Sequence, residues 1–77
     1  MRDKESEKII YKLAKRLSEL RDEAGLSLEG LSHLTGLSTS TISEIENQKS
    51  FPGSLTVVKI CRALDVKPSK VFKDIGH

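Results

Sequence analysis

Hydrophobic residues recur along this chain at intervals of three and four, and no segment alternates apolar and polar residues as a half-buried strand would. Ile10, Leu13, Ala14, Leu17, Leu20 and Ala24 share one helical face with Arg21, and Gly25 stops the run. Residues 1–8, MRDKESEK, are charged and lack an apolar face, which predicts a frayed tail ahead of a domain over 9–77. Ser27 is placed to cap a second helix with Glu29 in its first turn, Leu28, Leu31 and Leu34 form its apolar stripe, and Gly36 is a left-handed stop. Ser38 caps a short third helix from Thr39 to Glu46, with Ile42 and Ile45 facing inward, and Asn47 to Gly53 form a loop punctuated by Pro52. Ser54 is expected to cap a fourth helix that contributes Val57, Val58, Cys61 and Leu64 to the core. Pro68 opens a fifth, which carries Val71, Phe72 and Ile75. The pattern predicts an all-α fold, a compact five-helix bundle.

At 77 residues and 36% hydrophobic content, the chain closes one core and not two. Aromatics are 4% and tryptophan is absent, so leucine, isoleucine and valine must fill that core. A single cysteine, Cys61, makes no intrachain disulfide and reads as a small core residue; it fits a reducing compartment, and the cytoplasm is the expected location. No apolar run approaches the roughly 20 residues of a membrane span, and the N-terminus lacks the apolar region of a signal peptide, so no membrane partner is expected. His33 and His77 have no second ligand at metal spacing and read as surface residues; neither a metal nor a cofactor is expected. The serines have no His and Asp in a nucleophilic arrangement, which argues against an enzyme.

Charge changes the picture by its distribution. Thirteen basic against eleven acidic residues leave a net charge of only +2. Residues 1–25 carry seven Lys or Arg and six acids, 26–50 one and three, and 51–77 five and two, so the middle of the chain is net acidic at −2.

Five short helices with the turn at Gly36, and the stretch LSELRDEAGLSLEGLSHLTGLSTSTISEIEN above all, resemble the Cro and lambda-repressor (XRE-like) type of helix-turn-helix DNA-binding domain from about Leu13 to Phe72. The likeness rests on an Arg four residues before a Gly, Gly-Leu-Ser opening the second helix, Leu31, Gly36, Ile42, Ile45 and Glu46 at the family's spacing, then Pro52 and the Leu64 to Phe72 tail. It implies that the third helix reads DNA and that Glu46 pairs with Arg21. The chain departs from the family's pattern at several places. Leu28 stands where a phosphate-contacting Gln is usual, Ser32 replaces a small Ala, Gln48 replaces a Gly, and Ser54 and Leu55 reverse the usual leucine-then-polar order.

The third helix is an unusual reader, because between Thr39 and Gln48 it holds two glutamates and no lysine or arginine. At 100° per residue Ile42 and Ile45 lie about 60° apart, which leaves Ser40, Ser43, Glu44 and Asn47 on the opposite face and Thr39 at its edge. Glu44 is able to accept from cytosine N4, while the hydroxyls of Thr39, Ser40 and Ser43 donate to or accept from base edges. Phosphate contacts are assigned to Lys49 and Asn47, to the amide ends capped by Ser27 and Ser38 with Leu28 beside them, and less strongly to Lys12, Lys15 or Arg16, whose bland alternative is a solvated face.

The expected function is a transcriptional regulator of the phage-repressor or restriction-modification controller kind, bound to double-stranded DNA at a palindromic operator as a homodimer. Phe51, Val71, Phe72 and Ile75 are the candidates for the two-fold contact. No small-molecule effector is expected, since the chain has no room for a second domain. The alternative is a protein-interaction or antitoxin-like module on the same fold, favoured by the poor basic content of residues 26–50.

Overall fold

The computed structural model describes residues 3–76 and contains five helices. These are α1 (Lys4–Glu23), α2 (Leu28–Thr35), α3 (Thr39–Glu46), α4 (Ser54–Ala63) and α5 (Pro68–Asp74). At 20 residues, α1 is roughly 30 Å long and so runs nearly the full 33 Å long axis of the molecule. It packs on α3 and α5, α2 packs on α3 and α4, and α4 on α5.

The charged stretch expected as a tail is helical from Lys4. Asp3 supplies the reason, since its carboxylate accepts the Ser6 amide at 2.7 Å while Glu5 and Glu7 complement the dipole of the first turn. The other end of α1 closes on Gly25 at φ +72, where Leu26 N–H donates to Arg21 C=O and Gly25 N–H to Asp22 C=O. The same closure recurs after α3 and α4, but with Gln48 and Asp65 in the left-handed position, at φ +64 and +57.

Among the described residues every buried side chain is apolar, and twelve of them form one cluster: Leu13, Leu17 and Leu20 of α1, Leu31 of α2, Ile42 and Ile45 of α3, Val57, Ile60 and Cys61 of α4, and Leu64, Val71 and Ile75 towards the C-terminus. Burial also raises the pKa of the Cys61 thiol, so it stays protonated and inert at neutral pH. Several edges of the predicted stripes move. Leu34 is 56% exposed, because steps of three lag the helical period and six residues carry it about 120° from Leu28. In α4 the buried row is Val57, Ile60, Cys61 and Leu64, spaced i, i+3, i+4, i+7, while Val58 is half-buried at its flank. Ser54 is not the cap of α4. Gly53 holds that position without a side-chain bond, and Leu55 points outward at 69% exposure.

Two of the four interface candidates belong to the core of the single chain. Val71 is fully buried and Ile75 is 5% exposed, because α5 lies against both α1 and α4. Neither presents a surface to a second copy; Phe51 and Phe72 remain exposed. His33 is exposed in the last turn of α2, whereas the placement expected for His77 lies outside the described residues.

Candidate nucleic-acid interface

Helices α2 and α3 meet through a turn closed by side chains as well as by Gly36 at φ +77. Thr35 Oγ1 donates to the Leu31 carbonyl at 2.8 Å and accepts the Leu37 amide at 3.1 Å, while Ser32 Oγ donates to the Leu37 carbonyl. The Ser32 hydroxyl, at a position where the family's pattern has alanine, therefore braces the turn. Ser27 and Ser38 cap their helices as expected, accepting from Gly30 N–H and Thr41 N–H, each at 3.0 Å. Ser38 Oγ also donates to Thr41 Oγ1 at 2.8 Å.

The orientation of α3 is set by its inner face. Ile42 and Ile45 enter the core, and beside them the Glu46 carboxylate is gripped by Arg21, with Nε to Oε2 at 2.8 Å and Nη2 to Oε1 at 2.9 Å. Arg21 Nη1 reaches the Leu26 carbonyl at 2.7 Å, so a single guanidinium ties α1, the α1–α2 turn and α3 together. The bond to Glu46 is the leading cause that raises the Arg21 pKa above its usual range.

The opposite face carries the candidate contact residues. Ser40, Glu44, Asn47 and Lys49 are exposed, and Thr39 and Ser43 are half-buried. Asn47 Nδ2 donates to the Ser43 carbonyl at 2.8 Å and to Ser43 Oγ at 3.2 Å, which leaves the Asn47 carbonyl outward. Leu28 does not share this surface with its side chain: it is half-buried against the core, and only the amide of this first residue of α2 stays outside the helical ladder. Arg16 is also committed elsewhere. It bonds Asp74 at 3.1 Å and lies 3.6 and 3.8 Å from Glu19 and Glu23, so it fastens α5 to α1. Lys12 and Lys15 are exposed. The braces at Ser32 and Thr35 escape a reading based on apolar period, though a hydroxyl within the last turn of a helix is a local signal for such bonds.

Known proteins share this fold. Residues 17–71 match the helix-turn-helix family model. The chain is 38% identical over 60 residues to the HTH-type transcriptional regulator PuuR of Escherichia coli, a match covering 78% of this chain and 32% of that protein. It thus spans about a third of PuuR's length. It is 35% identical over 57 residues to the uncharacterized HTH-type transcriptional regulator YgzD of Bacillus subtilis, covering 74% of this chain and 86% of the relative. The fold matches the restriction-modification controller protein C.AhdI from Aeromonas hydrophila with a TM-score of 0.79 and 34% identity, over 83% of this chain and 97% of that one. A helix-turn-helix transcriptional regulator from Vibrio cholerae matches with a TM-score of 0.80 and 32% identity, over 88% of this chain and 39% of that one. The chain belongs to the Cro/C1-type (XRE) helix-turn-helix family of DNA-binding transcriptional regulators.

Proposed function

We propose that the protein regulates transcription by binding a palindromic site on double-stranded DNA as a homodimer, with α3 of each copy in a major groove. The observation that carries this reading is the two-sided character of α3. Its inner face is clamped by Ile42, Ile45 and the Arg21–Glu46 pair, and its outer face presents Ser40, Glu44 and Asn47 with no apolar side chain among them. Glu44 accepts from cytosine N4, Thr39, Ser40 and Ser43 contact base edges through hydroxyls, and the capped ends at Ser27 and Ser38 direct their unpaired amides, with Lys49, at phosphates. The likeness to C.AhdI over 97% of that chain supports a controller-type role.

A reading helix of eight residues is roughly 12 Å long and covers a few base pairs. One copy with single hydroxyl bonds falls short of the roughly 4 to 10 kcal/mol that separates specific from non-specific binding, and two copies are needed. Phe51, Leu55 and Phe72, exposed at 52%, 69% and 38%, are among the side chains available for the two-fold contact.

Selection from random duplexes tests the reading. The expected result is a two-fold symmetric site whose half-sites are about 34 to 36 Å apart, and sedimentation at micromolar concentration is expected to give a dimer. No enrichment, with no salt-dependent binding to duplex DNA, overturns the proposal in favour of an interaction module.

A further inference from the structure

The reading unit carries an electrostatic deficit, since residues 26–50 sum to −2 while a duplex presents one negative charge per roughly 1.7 Å of axis. Attraction has to come from elsewhere in the fold. The N-terminal half of α1 places Lys4, Lys8 and Lys12 at successive i, i+4 positions, and all three line one cleft with Glu7, Tyr11 and Gln48. The three lysines are exposed and, among the described residues, none of them is in an ion pair, in contrast to Arg16 on the same helix. Tyr11 is half-exposed between them and offers a hydroxyl donor. Gln48 fixes where the cleft sits, because it directly follows Asn47 and precedes Lys49 at the C-terminal end of α3.

From this juxtaposition we infer that the Lys4–Lys8–Lys12 ridge is a second DNA-contact surface, one that takes the phosphates of the strand leaving the groove past the end of α3. The inference rests on the proposed DNA-binding function and adds to it a positioning surface outside the helix-turn-helix unit. Eight residues of α1 measure roughly 12 Å, enough to meet two or three successive phosphates of one strand. Tyr11 adds a hydrogen bond to a phosphate oxygen, and Glu7 subtracts one charge from the ridge. The ridge carries no base readout, so it raises affinity for all sequences alike.

The test is the salt dependence of binding to a 40-base-pair mixed-sequence duplex, measured for the whole chain with Lys4, Lys8 and Lys12 all changed to Gln. The slope of log affinity against log salt is expected to fall by about 2 to 3 relative to the unaltered protein, at about 0.9 per phosphate contact. A control with Lys59, Arg62 and Lys67 changed to Gln removes the same charge from α4 and the connection after it, and is expected to lower the slope by less than about 1. The variant with Arg at positions 4, 8 and 12 keeps the slope, and Glu7→Gln tightens binding. Equal losses in the two Gln triples, or an unchanged slope in the first, overturn the ridge while leaving DNA binding through α3 intact. Failure of the unaltered protein to bind the duplex at low salt overturns both.

Discussion

Arg21 holds Glu46 through two parallel hydrogen bonds across 25 residues of chain, and with 14% and 11% of their side chains exposed the two groups are mostly withdrawn from water. A planar guanidinium meets a carboxylate in this way only when both helices have their final orientation, so the pair reports the docking of α3 on α1. Glu46→Ala leaves the guanidinium half-satisfied beside the core and is expected to cost about 2 to 3 kcal/mol. Arg21→Lys keeps the charge, loses the fork, and is expected to cost at least about 1 kcal/mol. Chemical denaturation measures both, and a loss below about 0.5 kcal/mol for Glu46→Ala places the pair among ordinary surface contacts.

Gln48 occupies the left-handed region at φ +64, a position that glycine enters without a Cβ penalty. Gln48→Gly is expected to stabilise the fold by about 0.5 to 1 kcal/mol, whereas a β-branched residue there destabilises it. Asp65 at φ +57 makes the same closure after α4, but aspartate tolerates this conformation better, so Asp65→Gly gains less. Thermal melts of the two glycine variants decide the order.

Asp74 accepts from Arg16 at 3.1 Å and from Lys70 at 3.3 Å. Desolvation pushes its pKa up, but the hydrogen bonds and charges of Lys70 and Arg16 outweigh it, and the net result lies below the ordinary carboxylate value of 3.8. A carboxyl held lower in the folded state than in the unfolded one adds stability that is complete above the ordinary value and lost as pH falls through the folded one. The stability difference between the unaltered protein and Asp74→Asn is therefore expected to be constant from neutral pH to about 5 and to shrink below about 4. A difference that grows on acidification contradicts the assignment.

Glu44 is the one exposed acid on the outer face of α3. Glu44→Gln turns an acceptor-only group into a mixed one, and is expected to shift preference at a single base pair of the half-site by about 1 to 3 kcal/mol. Lys49→Ala weakens all sequences alike and lowers the salt slope by about 1. Competition titrations against single-base variants separate the two behaviours.

Phe72 and Phe51 are large apolar side chains left in solvent by a core that absorbs their neighbours Val71 and Pro52. If they form the two-fold contact, Phe72→Ser combined with Phe51→Ser raises the dimer dissociation constant at least about tenfold without lowering monomer stability. Sedimentation across a concentration series reads this directly, and an unaltered dissociation constant moves the interface to another surface.

The sequence by itself determined that there are five helices and where most of them end, though not the start of α1 at Lys4 or the cap of α4 at Gly53. Caps at Ser27 and Ser38, stops at Gly25 and Gly36 and the three-to-four period of leucine and isoleucine are local properties, and each appears in the fold at its expected residue. The outward placement of Ser40, Glu44 and Asn47 was also legible, because Ile42 and Ile45 leave them only the far side of a short helix. Only the tertiary structure decided how far each apolar stripe is covered, since periodicity names a face but not the neighbour that packs on it. Leu34 runs off the edge of α2's contact, Ile60 rather than Val58 enters the core, and Val71 and Ile75 are sealed because α5 folds back onto α1. The same return brings Asp74 to Arg16 across 58 residues and commits that arginine to a pairing within the chain. No local pattern encodes such a pairing: it exists only once loops have closed and two surfaces distant in the chain compete for the same charge.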